Sequence, residues 1–412
     1  MHLRLPSLMG LTVLAAALSL PSAAAQQSLN ISLMLSSGAQ RQYFEAAARE
    51  FMARHAEVNV HIGVYPDQHY KDHLPQWLEE ERYALMYWQG GRRLQELVDE
   101  QQAASINDIW DEQDWPEAFS EPVKNTLRFD GNYYALPYSY YPWGIYYNRE
   151  LFRERELDPP ETWDQLLELA EQFSDDSIRP FSAGTRGQWP AAGWFDLINL
   201  RLNGPDFHQQ LLDGQIPYTD ERVRAVFEHW QVLIERDYFS PMHEERSWRN
   251  ALPPLYRQQA AMMLIGNFAA YAIPEPFRNK ISAFSFPTID EEVPRVELTP
   301  TDVFFIPSHA KDNPLAREFL RFLGEPQVQQ SLNNESGMLP AHRGAVPGVG
   351  LLLEESQRII NRAESTFQYF DRDTRPPMAK EAIAVFQKFM TEPDIDQATQ
   401  TLEQARQDAF EQ

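Results

Sequence analysis

Residues 28–64 present a strand, a helix and a second strand in immediate succession, and this order restricts the chain to few folds. Ser28 to Ser37 alternates polar and apolar residues and closes on small polar ones, the period-two pattern of a half-buried strand. Gln40 to His55 then places Tyr43, Phe44, Ala47 and Phe51 on one helical face. Val58 to Val64 alternates again. Strands joined through a helix run parallel with a right-handed crossover, so the opening predicts an α/β fold.

The rest of the chain continues the theme. Tyr83 to Trp88 is a continuous apolar run, as a buried parallel strand requires. It breaks at Gln89-Gly90-Gly91, before a helix expected over Arg92–Gln101. Such strand-to-helix loops are where open α/β folds bind ligands, and glycine lets the backbone come close; a plain turn is the other reading. Asp130-Gly131 signals a hairpin. Between Tyr133 and Asn148 eight of sixteen residues are aromatic, and Pro137 and Pro142 argue against one long strand. Thr162 is placed to cap a helix over Trp163–Phe173. Further helices are expected over Asp220–Glu235, Ala316–Leu323 and much of the segment after Lys380. Strands are expected over Ala260–Ile265, ending at Gly266-Asn267-Phe268, and over Asp302–Pro307. No internal repeat or low-complexity segment is apparent.

The first 25 residues read as a cleavable export signal. Arg4 supplies the positive end, Leu8 to Leu20 the apolar run, and Ala23-Ala24-Ala25 the small residues before Gln26. The run is too short to span a bilayer of ~30 Å. The chain has no cysteine. That excludes disulfides, thiolate metal sites and a cysteine nucleophile, and it removes the residue to which a lipid anchor attaches. A periplasmic protein without a membrane anchor is expected. Its formal charge is −24, or 35 − 60 = −25 once Arg4 is removed with the signal. Such acidity disfavours nucleic acid, anionic lipid and polyanionic ligands. The roughly 385 remaining residues exceed one hydrophobic core, so about two domains are expected.

Five segments taken in order resemble the extracellular solute-binding proteins of ABC importers, in particular the sugar-binding group that includes maltose-binding proteins. They are the strand-helix-strand opening after a signal; Gly131 to Pro137 leading into Trp143 to Phe152; Pro159 to Leu166; Ala261 to Phe268; and Asn313 to Leu323 with Gly337 to Pro340. The family usually has Trp where Phe268 stands. The resemblance implies a two-lobed periplasmic binding protein type II architecture with a ligand cleft between the lobes. It places 28–138 and 300–340 in lobe 1 and 139–299 and 341–412 in lobe 2. The chain would cross near 137–141, 289–301 and 339–343, and hinge there to close on a ligand. The implied function is capture of a small carbohydrate, as a monomer, for a membrane ABC permease. No cofactor and no metal are expected.

A sugar offers hydroxyls, which pair with carboxylates, amides and Arg, and C–H faces, which lie flat on aromatic rings. The expected ligand-binding residues follow that chemistry. The polar ones are Ser36, Ser37, Gln89, Gly90, Asp196, Asn267, Asp302 and Arg343. The aromatic ones are Trp88, Tyr141, Trp143, Trp194 and Phe268, of which Trp88, Trp194 and Phe268 fall where the family places stacking rings. Core packing is the plainer reading of any single aromatic, helix capping or a surface charge that of the aspartates, and a structural ion pair that of Arg343. His69 and His73, with Asp72 between them, sit at the spacing of two metal ligands on a helix, but no third ligand is evident and a surface role is expected. Gly184-Thr-Arg-Gly187 lacks the lysine and spacing of a phosphate loop. Two other classes stay open at this stage. One is a secreted glycoside hydrolase, which needs two suitably spaced carboxylates. The other keeps the fold but binds a polyamine, a metal chelate or an organic anion. A role in feeding a chemosensory receptor is compatible with any binding protein of this kind.

Overall fold

The computed structural model describes residues 27–35, 38–174, 178–334 and 337–411. The export signal and the candidates Ser36 and Ser37 lie outside the described residues. In chain order the strands are β1 (Gln27–Met34), β2 (Val58–Tyr65), β3 (Leu85–Gln89), β4 (Arg128–Phe129), β5 (Asn132–Tyr133), β6 (Ala135–Tyr140) and β7 (Trp143–Asn148). They continue as β8 (Arg179–Phe181), β9 (Ala260–Gly266), β10 (Ile281–Phe284), β11 (Val296–Leu298), β12 (Thr301–Phe305), β13 (Leu339–Pro340) and β14 (Ser365–Phe367).

The larger sheet has the order β13-β6-β12-β3-β1-β2. β1 lies parallel to both β2 and β3, as the opening pattern predicts, with the helix Gly38–Arg54 as the first crossover. β12 enters antiparallel between β3 and β6. The second sheet has the order β10-β7-β9-β8. Each sheet supports its own hydrophobic core. One runs from Leu29 to Tyr138 and adds Val303–Ala341. The other runs from Tyr141 to Leu298 and adds Met338 and Leu352–Ala409. This is a two-lobed α/β architecture. The chain leaves the first sheet after Tyr140 and enters the second at Trp143, the break falling at Pro142. It returns between β11 and β12, and leaves again after β13.

Local chemistry explains the element boundaries. Asp130 and Gly131 take positive φ of 49° and 81°, the two left-handed positions of a tight hairpin between β4 and β5. Thr162 and Gln165 form a reciprocal capping box at Trp163–Glu171. Asp220 caps Glu221–Glu235, and Asn313 caps Pro314–Gly324. Pro137 stands inside β6 rather than ending it. The β12 register skips Tyr138 there, pairing Val303 with Pro137 and Asp302 with Ser139, so a bulge absorbs the missing N–H.

Gly90 and Gly91 do permit a close approach, but the partner is protein. A Cβ at Gly90 would sit 2.9 Å from Thr126 Oγ1. At Gly91, with φ of +83°, it would sit 2.9 Å from Asp373 Oδ1, a residue of the other lobe.

Candidate functional site

A cavity of about 120 Å³ lies where the lobes meet; a water needs ~10–15 Å³ on this scale, so the space is that of several waters. The first lobe supplies its polar floor. Antiparallel pairing sets Asp302 of β12 directly beside Gln89 of β3, and Tyr87, two residues earlier, shares their face. Asp67 and Lys71 enter from the helix Asp67–Glu79, together with Tyr138, Met34 and Gln40.

The second lobe supplies the aromatic wall. Trp143 begins β7 and stacks on Tyr369 at 4.5 Å and 22°. Trp189 and Phe268 meet Trp143 edge-on at 6.0 and 6.1 Å. Trp248 lies 5.2 Å from Phe268, and Tyr141, in the crossing segment, 5.3 Å from it. The Tyr369 hydroxyl donates to Trp189 O at 2.5 Å, fixing the corner of this wall.

Charges in the cavity are paired. Arg372 Nη1 donates to Asp302 Oδ1 at 2.9 Å and Nη2 to the Tyr141 hydroxyl at 2.6 Å. Lys71 bridges Asp67 at 3.2 Å and Asp371 at 3.4 Å. Asp371 also takes Arg93 at 3.0 Å from behind the cavity. Burial raises Asp302 above the usual carboxylate range, against Arg372 and the Tyr87 hydrogen bond, which pull it down. Burial works against the charge on Arg372 too, but Tyr141, Asp302, Tyr87 and Asp371 outweigh it and hold the guanidinium charged. For Asp371, burial is outweighed by Lys71, Arg93 and Arg372, and its carboxyl sits below the ordinary value. Tyr87, Tyr138, Tyr141 and Tyr369 are all raised by burial and stay neutral hydroxyls. Gln89 Oε1 is buried and has no hydrogen-bond partner among the described residues.

Of the sequence candidates, Gln89, Tyr141, Trp143, Phe268 and Asp302 meet in this cavity. The other candidates among the described residues do not line it. Trp88 points to the opposite face of β3 from Gln89; it stacks on Tyr70 and donates Nε1 to Arg93 O at 3.0 Å. Gly90 packs on Thr126. Trp194 is a core residue, because its helix, Ala192–Leu202, is buried nearly all round. Its ring meets Phe181, Phe239 and Phe286 edge-on at 5.1–5.9 Å. Asp196, on the same helix, accepts from Phe370 N at 2.8 Å and so supports the cavity from behind. Asn267 ties Tyr146 to Gly337 O. Arg343 is exposed, and its backbone N–H bonds Ala118 O at 2.8 Å.

Sequence reading missed Asp67, Lys71, Trp189, Trp248 and the run Tyr369 to Arg372. The last forms a helix of four residues, Phe370–Asp373, too short for any periodic signal. Among the described residues, no group of three or more His, Cys, Asp or Glu is arranged to hold a metal ion. The His69 and His73 rings stack on each other at 4.0 Å. No described helix is long and apolar enough to cross a membrane.

Comparison with known proteins bears on the family and the fold. The family model of bacterial extracellular solute-binding proteins matches residues 36–330. An uncharacterized ABC transporter extracellular-binding protein of Pyrococcus horikoshii is 27% identical over 259 residues, covering 62% of this chain and 57% of that protein. The alpha-glucosides-binding periplasmic protein AglE of Rhizobium meliloti is 22% identical over 272 residues, 59% of this chain and 56% of AglE. Both matches thus span little more than half of the relative. Among solved structures, the bacterial solute receptor AcbH, described with an exclusive preference for β-D-galactopyranose, superposes with a TM-score of 0.87 at 25% identity, over 93% of this chain and 100% of that one. RafE in complex with raffinose superposes with a TM-score of 0.78 at 16% identity, over 93% and 99%.

Proposed function

This chain belongs to the bacterial extracellular solute-binding proteins, and from that premise we propose that it captures a small neutral carbohydrate for an ABC permease. The observation that carries the ligand class is the charge balance of the cavity. Asp67, Asp302 and Asp371 each have a cation within 3.4 Å, and those cations, Lys71, Arg372 and Arg93, are used up in doing so. A polyamine would need a spare carboxylate, and an organic anion a spare cation. A sugar needs neither. Its hydroxyls take the outward lone pairs and N–H groups of an already neutralised floor, and its C–H face takes the aromatic wall.

In this reading 28–138 with 300–340 forms the first lobe and 139–299 with 341–412 the second. The protein works as a periplasmic monomer that closes on the sugar and releases it unchanged to the permease. The galactose preference of AcbH and the raffinose bound to RafE support the carbohydrate class without choosing the sugar.

Calorimetry of the purified protein against mono- and oligosaccharides, polyamines and organic anions tests the proposal. Saturable binding of a sugar, recovered intact, is the expected result. Binding of an amine or an anion instead, or recovery of a cleaved glycoside, overturns it.

A further inference from the structure

The four-residue helix Phe370–Asp373 belongs to the second lobe, packed on Ala192–Leu202 and Pro376–Phe389. Its polar side chains nevertheless all reach the first lobe or the crossing segment. Asp371 meets Lys71 and Arg93, Arg372 meets Asp302 and Tyr141, and Asp373 accepts from the Arg92 backbone and crowds Gly91. Unlike Lys71, Asp302 and Tyr141, Arg93 does not line the cavity. Its Nη2 holds Asp371 Oδ2 at 3.0 Å while its Nε donates to Asp371 O at 2.6 Å. The side chains of Arg93 and Asp371 are only 13% and 8% exposed, so water screens this pair far less than a surface ion pair.

We propose that Arg93 is a positioning residue: from outside the cavity it clasps Asp371 across the lobe boundary and so stabilises the closed arrangement in which the ligand site exists. This rests on the solute-binding reading. A ligand that binds only the closed form has its apparent affinity scaled by the closed population. A residue that never touches ligand then sets affinity through that population. Gly91 fits the same account, since a side chain there would push Asp373, and with it the clasp, away.

The test uses the full chain with Arg93→Met, Arg93→Lys, and Arg41→Met as a charge control, because Arg41 sits in an exposed pair within one helix. Two readouts are taken at low and high salt. The first is small-angle scattering of the ligand-free protein. The second is the affinity and dissociation rate for whichever sugar wild type binds. Arg93→Met should be more extended at low salt and bind about 5- to 30-fold more weakly, chiefly through faster dissociation. Its affinity should vary less with salt than that of wild type, Arg93→Lys, which keeps the charge but not both bonds to Asp371, should recover part of the loss, and Arg41→Met should match wild type. Wild-type scattering and affinity in Arg93→Met overturn the clasp. So does a loss in Arg93→Met that is accompanied by an unchanged salt dependence of affinity, because that loss would come from the guanidinium's packing over Trp88 and not from its charge. A wild type that binds no sugar defeats the carbohydrate reading alone, and scattering still decides the clasp.

Discussion

Arg372 and Asp302 join parts of the chain 70 residues apart and on opposite lobes, with Nη1 to Oδ1 at 2.9 Å. Removing one member of a buried pair usually costs ~3–5 kcal/mol, because the other charge is left desolvated. Here opening the lobes returns that charge to water, so the cost falls on closure and not on folding. Asp302→Ala is expected to weaken ligand binding by ~3 kcal/mol or more. The denaturation midpoint of the ligand-free protein should hardly move. Calorimetry and chemical denaturation of the same preparation check both halves.

Trp248 and Trp194 should separate binding from stability. Trp248 is half-buried, lines the cavity and carries the Arg249 guanidinium 4.4 Å over its ring. Trp248→Ala should cost ~1–3 kcal/mol of sugar binding through the lost ring face and little stability. Trp194 is 3% exposed in the second core. Trp194→Ala should cost ~3–5 kcal/mol of folding stability, with the affinity of the molecules that remain folded unchanged. Equal effects of the two variants on affinity would place Trp194 at the site after all.

The fold was legible wherever one residue period ran unbroken. The β1-helix-β2 opening, the hairpin at Asp130-Gly131 and the cap at Thr162 depend on neighbours within a few positions, and their structures follow the pattern. The candidate site was legible only at strand ends or just beyond them: Gln89, Tyr141, Trp143, Phe268 and Asp302. Trp88 stands in an all-apolar run, whose composition does not say which face is the cleft. Trp194 and Asp196 sit on a helix buried nearly all round, so no polar face marked them as core. The charged floor is set by contacts such as Lys71 with Asp371, 300 residues apart, and no local pattern encodes those.

Gln89 makes a prediction in which loss of function need not mean loss of stability. Its Oε1 is buried without a partner among the described residues, and an unmade hydrogen bond of that kind costs ~1–3 kcal/mol in the native state. Gln89→Met removes the acceptor with little change in volume. The ligand-free variant should therefore be as stable as wild type or more so. If Oε1 accepts from a sugar hydroxyl, affinity should fall by ~0.5–1.5 kcal/mol, the net worth of one neutral hydrogen bond. Thermal denaturation with and without sugar reads both quantities, and an unchanged ligand-induced shift would remove Gln89 from the binding site.

His208 and Asp196 give the protein a pH signature that comes from its interior. Asn199 Nδ2 donates to His208 Nδ1 at 2.8 Å, so the neutral ring carries its proton on Nε2, facing Asp196 Oδ1 at 3.8 Å. Burial lowers His208 from 6.5 to about 3, and burial raises Asp196 well above 3.8 against the pull of the Phe370 N–H. As pH falls from 6.5 toward 3, the unfolded chain binds a proton on this histidine that the native one refuses, and stability drops. As pH rises above 3.8, the unfolded chain releases the aspartate proton that the native one keeps, and stability drops again. The histidine slope stands alone below pH 3.8, and above it the aspartate slope opposes it for as long as native Asp196 keeps its proton. Above pH 3.8 Asp196→Asn should therefore remove a decline of up to ~1.4 kcal/mol per pH unit, while keeping a side-chain oxygen for Phe370 N. His208→Gln should remove a rise of similar slope on the acid side. Urea denaturation of wild type and both variants across pH measures these slopes, and parallel curves for all three would mean that neither group titrates on unfolding.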